Sequence, residues 1–187
     1  MTGAFLRLRS FGRRFLADQS GVSAIEFAFI APILIVFYFG MAETCQLLMA
    51  KRKVRHAGAA VADLVSQSDS PVTTAAALDD RLLAAQSIMA PFPTGPLVIR
   101  LTSVTARNPA AGGAPLVDWS YPSGGRAKES PFTPSTPLNA GESLIVAEVT
   151  YGYNSSIGYF LPGVRQMTHK AELRPRKHDR ITCSNCP

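Results

Sequence analysis

The carboxylate that this sequence makes chemically conspicuous is Glu26. It sits at the mouth of an apolar run whose residues 27–42 carry no charged side chain. An acid just inside a membrane-length segment is costly without a partner, so it points to function rather than packing. Five residues before it stands Gly21, small enough for a peptidase to cut between Gly21 and Val22. The other chemistry-bearing residues gather into no catalytic set. His56, His169 and His178 form no His-Glu-x-x-His arrangement, and the serines occupy no nucleophile elbow. Gly112-Gly113 and Gly124-Gly125 lie near prolines and read as turns, not as a phosphate loop. His169, His178, Cys183 and Cys186 could gather round zinc, but the histidines lack the companion spacing of a finger. A Cys183–Cys186 disulfide, or an intermolecular link, is preferred to a metal or a redox role, which would need the pair at a helix start. The expectation is a non-enzyme with no metal, no cofactor and no small-molecule substrate.

The element that must position Glu26 is a long helix. Val22 to Ala42 supplies the roughly 20 apolar residues that a bilayer span needs. Pro32 and Gly40 are tolerated in membrane helices, where neighbours satisfy the freed backbone groups. After Cys45, Val54, Ala57, Val61, Leu64 and Val65 recur at three- and four-residue spacing, with Lys53, Arg55, His56 and Asp63 pointing elsewhere. Ala57 to Ala60 and Ala62 make one face smooth enough for close backbone approach. The first strong stop is Ser68-Asp-Ser-Pro71, so an unbroken helix over 22–67 would reach about 69 Å.

At 187 residues the chain has room for one domain plus an anchor. Arg7, Arg9, Arg13 and Arg14 against Asp18 account for half of the formal +6 charge, so the basic balance is no argument for nucleic acid. The positive-inside rule nearly ties, because Lys51, Arg52, Lys53 and Arg55 follow the span. An N-terminus inside is chosen because the cleavage motif needs a cytoplasmic leader and the cysteine pair suits an oxidising compartment.

Residues 20–67 resemble the TadE-like family of pseudopilins. The resemblance rests on Gly21, Glu26-Phe27, Ala31-Pro32, Gly40, Glu43 and the run from Met49 to Val54 leading into an alanine-rich helix. It implies a bacterial inner-membrane protein of a Tad (Flp-type) pilus, with residues 1–21 as a cytoplasmic leader. It also implies a prepilin peptidase that cuts the Gly21–Val22 bond and recognises Glu26 and Phe27. The implied partners are other pilins or pseudopilins, Tad assembly membrane proteins and membrane lipid. TadG-like relatives carry a von Willebrand-type domain with a metal motif, and nothing of that kind occurs in this sequence. The rival reading is a secreted binding protein released by signal peptidase after Ala42, in the small-x-small site Gly40-Met-Ala42.

Residues 72–187 are expected to form an extracytoplasmic α+β domain, pilin-like, with the stalk helix packed on a small antiparallel sheet. Thr73 to Met89 predicts a second helix, with Leu78, Leu82, Leu83 and Ile88 on one side. Strands are predicted over Leu97–Thr105, Leu116–Trp119, Ser143–Tyr153 and Gln166–Arg174, with Trp119 covering the sheet and Asn108 to Gly113 as a turn. Ser120 to Asn139 reads as a mobile surface loop. Lys170, Arg174, Arg176, Lys177 and Arg180 read as a solvated basic face, then as a site for anionic lipid or a partner's acids. Tyr151, Tyr153, Tyr159 and Phe160 suit either an exposed aromatic contact or core packing.

Overall fold

The computed structural model describes residues 20–107, 114–122 and 124–186. The basic leader residues and the turn at Asn108–Gly113 lie outside the described residues. The chain divides into two compact units, Met1–Thr44 and Cys45–Pro187. One helix, α1 (Ser20–Ser66, 47 residues), contributes to both and carries Pro32 without a break. Proline lacks an N–H, so Ala28 C=O loses its usual helical donor.

In the second unit α1 is followed by β1 (Val72–Thr73), α2 (Ala75–Ile88), β2 (Leu97–Thr105), β3 (Leu116–Tyr121), β4 (Ser143–Asn154), β5 (Val164–Leu173) and β6 (Thr182–Cys183). The sheet order is β3-β2-β4-β5, antiparallel throughout. This bears out the α+β expectation.

Period-two alternation along β4 sorts its side chains onto two faces. Ile145, Ala147, Val149, Tyr151 and Tyr153 join Ala50, Val54, Ala57, Val61, Ala62 and Val65 of α1 in the main core, together with Leu78, Ala85 and Met89. Leu144 and Val146 face the other way, under Phe132, with Val104 and Val117. A register shift between Ser103 and Val104 opposite β3 lets Trp119 face the helices while Val117 faces Phe132. The extra residue is Asp118, which accepts from Thr105 Oγ1 and pairs with Arg107 at 3.1 Å.

Close approach of α1 to the sheet requires Gly58. A Cβ there would come within 2.8 Å of Val149 Cγ2, a short branched side chain with little room to yield. α2 begins at Thr74, an N-cap whose side chain accepts from Ala77 N.

Several expectations need correction. Leu64 and Leu83 are exposed, because each falls off the stripe that Val61, Val65, Leu78 and Ala85 bury. The segment after Ser120 is anchored: Phe132 is buried, Pro131 bridges to Leu116, and Ser135 N donates to the Glu172 carboxylate. Trp119, by contrast, packs over the sheet as expected, buried in the main core and donating from Nε1 to Ile181 O at 2.8 Å.

The basic tail is solvent-exposed, as expected, but its bases are paired rather than free. Lys170 pairs with Glu172, Arg174 with Glu142, Arg176 with Asp63, Lys177 with Asp69 and Arg180 with Asp118. The sequence reading also missed the two-stranded parallel pairing of β1 with β6, which sets Val72 beside Thr182 and Thr73 beside Cys183. Cys183 and Cys186 are joined by a disulfide just after that seam.

Candidate functional site: the exposed apolar helix

The opening turns of α1 hold the residues singled out for processing and assembly. Gly21, Val22, Glu26 and Phe27 are all exposed. Val22 and Glu26 stand four residues apart, which sets them on one helix face. A Cβ added at Gly21 would meet nothing within 4 Å, so any demand for glycine at this position comes from outside the fold. Glu26 has no hydrogen-bond or ion-pair partner among the described residues, which leaves its carboxylate open to an external one.

From Val22 to Met41 the large side chains are exposed on every side of the helix. Phe29 is 75% exposed, Ile33 69% and Phe37 69%. A helix apolar all round belongs in a membrane or in the interior of an assembly, because water would meet an unbroken hydrocarbon surface. Among the described residues it is the one helix long and apolar enough to cross a membrane. Glu43 behaves differently from Glu26 and is fully buried. Sequence reasoning named Glu43 only as part of the family pattern; a second acid bordering the apolar run was the signal available.

Beyond Cys45 the helix becomes amphipathic. Ala50, Val54, Ala57, Val61 and Val65 turn to the core, and Lys51, Arg52 and Arg55 stay in solvent. Lys53 Nζ donates to Ile88 O at 3.0 Å, tying α1 to the last turn of α2. On β5, burial lowers the pKa of His169 and the nearby Arg55 lowers it further. The four aromatics considered together in the sequence divide. Tyr151 and Tyr153 are core residues, and Tyr159 is 78% exposed beside a less exposed Phe160. No cluster of three or more His, Cys, Asp or Glu that could hold a metal occurs among the described residues.

The model of the family described as TadE-like protein matches residues 21–63, from the glycine through most of the buried half of α1. No curated protein matches the chain, and no solved structure does. The matched segment is the one in which Gly21, Glu26-Phe27, Ala31-Pro32, Gly40 and Glu43 carry the resemblance. A match to that family over this helix suggests a relation to Tad-pilus proteins.

Proposed function

We propose that the chain is a TadE-like minor pilin or pseudopilin acting in assembly of a Tad (Flp-type) pilus, with roles in secretion or adhesion. Residues 1–21 are a cytoplasmic leader, 22–67 a transmembrane and stalk helix, and 72–187 an extracytoplasmic docking domain. A prepilin peptidase cuts the Gly21–Val22 bond and reads Glu26 and Phe27. The chain crosses the bacterial inner membrane once, with its N-terminus in the cytoplasm. Its work is packing: the apolar half of α1 lies among lipid and the helices of other pilins, and the sheet domain meets assembly partners outside.

The observation that carries this reading is an apolar helix exposed all round whose first turns present an open glycine and a glutamate with no partner among the described residues, in the stretch matched by the family. After cleavage the free amine of Val22 would lie within reach of a neighbouring subunit's Glu26, offsetting two charges that are each costly in a bilayer. N-terminal sequencing of the cell-extracted chain tests the proposal. Val22 as first residue supports it; Glu43 would establish release by signal peptidase, and Met1 in a host with an active prepilin peptidase would sink the processing step. Glu26→Ala should leave insertion intact and abolish processing or incorporation into a pilus; normal assembly by that variant would remove Glu26 from the mechanism.

A further inference from the structure

The β4–β5 hairpin ends in a tip with exposed large apolar side chains. Ile157 is 44% exposed, Tyr159 78% and Val164 60%, and Tyr159 and Phe160 meet edge to face at 5.0 Å. Gly158 and Gly163 hold positive φ angles of 68° and 77°, which let the chain reverse tightly around these side chains. The tip lies beside the first turns of α1 in this unit: Leu161 and Arg165 line one groove with Leu47 and Lys51. Leu47 follows the end of the apolar run at Ala42 by only five residues. The exposed apolar tip is therefore at the end of the domain where the chain enters from the span.

Charge marks the same place. Lys51, Arg52, Arg55 and Arg165 have no acid within ion-pair distance among the described residues, whereas every base of the C-terminal tail from Lys170 to Arg180 has one. We infer that the hairpin tip and these cations form a membrane-docking surface, with Tyr159 and Phe160 in the interfacial layer and Lys51 and Arg165 on the phosphates of anionic phospholipids. Amphipathic aromatic rings favour that layer, and bases near the surface gain from negative headgroups. The irregular backbone of the tip keeps it out of the hydrocarbon, where its polar groups would lack partners. A second copy of the chain is the poorer occupant. It would have to answer four cations with acids; Asp63, Asp69, Asp118, Glu129, Glu142, Glu148 and Glu172 are already held by the domain's own bases, which leaves Asp79, Asp80 and Asp179 as the three exposed acids of this unit with no base among the described residues. The surface rests on the reading of residues 22–42 as a span and adds a second, lateral attachment to it.

The full chain in vesicles tests the surface. Trp119 is the only tryptophan, buried and hydrogen-bonded, and so reports an interior position. Tyr159→Trp in vesicles of phosphatidylcholine and phosphatidylglycerol should be quenched by lipids brominated near the headgroup, while Trp119 in the unaltered chain is not. Lys51→Gln and Arg165→Gln should each lower the docked population about fivefold with phosphatidylglycerol and leave it unchanged with phosphatidylcholine alone. Quenching at position 159 no greater than at Trp119, or indifference to both neutral variants, overturns the inference. So does quenching that falls as chains per vesicle rise, since that assigns the tip to a second copy. Chains extractable by alkaline carbonate would sink the span together with the docking surface; chains retained but unquenched would sink the docking surface alone.

Discussion

In the first half of α1 the large apolar side chains stand in the open, Phe29 at 75% exposure and Ile33 at 69%. In the second half Val54, Val61 and Val65 are at 1% or less. The first half uses phenylalanine, isoleucine and leucine all round its surface. The second uses alanine, glycine and valine on one stripe and bases elsewhere. The difference lies in what each half meets. Lipid chains or neighbouring helices can adapt to bulky side chains, so large residues raise the apolar area at no packing cost. A sheet at fixed distance cannot adapt, so the facing stripe must be small, down to the bare backbone at Gly58.

The same substitution in the two halves should break this comparison if it is wrong. Val61→Asp places a charge in the main core and should cost roughly 3–5 kcal/mol, seen as loss of the domain's thermal transition in detergent. Val36→Asp should leave that transition unchanged and instead oppose membrane insertion by about 2.5–3.5 kcal/mol, read by carbonate extraction. Equal effects on the melt would show that the halves are not energetically distinct. The two glycines sharpen the contrast. Gly58→Ala should destabilise the domain by about 1–2 kcal/mol, overpacking against Val149 outweighing the better helix propensity of alanine. Gly21→Ala should not lower the melting temperature, yet should stop leader removal.

Acid should act on the sheet-bearing unit through His169 and Glu172. His169 is held below its ordinary value of 6.5 by burial and then by Arg55, so the unfolded chain takes up its proton first as pH falls. Stability from this group is intact above pH 6.5 and declines below it; melting curves between pH 7.5 and about pH 5.5 should show the decline, and His169→Gln should flatten it. Burial alone would raise the carboxyl pKa of Glu172, but Lys170 and Ser135 together outweigh it and leave it lowered. Its contribution persists through that window and is lost only as pH falls below the ordinary glutamate value of 4.5. The smallest effect belongs to Asp63→Asn. It breaks the 2.7 Å pair with Arg176, but both side chains are open to solvent, and the melt should move by less than about 1 kcal/mol.

Local pattern was enough for the long helix, for α2 and for the four main strands, because each is set by spacing within a short window. Leu64 and Leu83 were misassigned, since apolar identity was counted where angular position decides. Phe132 was lost in a stretch of proline, serine and glycine because its burial depends on Val104, Val117, Leu144 and Val146, which only the sheet assembles. The pairing of β1 with β6 could not be read: two-residue strands have no period, and their partners are separated by about 110 positions. The ion pairs of the basic tail are likewise tertiary. At the candidate site, Gly21 and Glu26 are singled out by a local pattern, and the structure adds that both are exposed. The burial of Glu43 and the cations beside the hairpin tip were not legible, because neither follows from neighbours in sequence.

Ile181 has no exposed surface, and its carbonyl receives both the Trp119 indole N–H, from 62 positions away, and the Ser103 hydroxyl, from 78. Such a closing stitch comes late in synthesis. Until residues 181–183 have emerged, the indole N–H has no acceptor, the plug at the end of the core is missing and β1 has no companion strand. The core around Trp119 therefore cannot close on its own strands; it waits for a segment that the chain supplies 62 positions later.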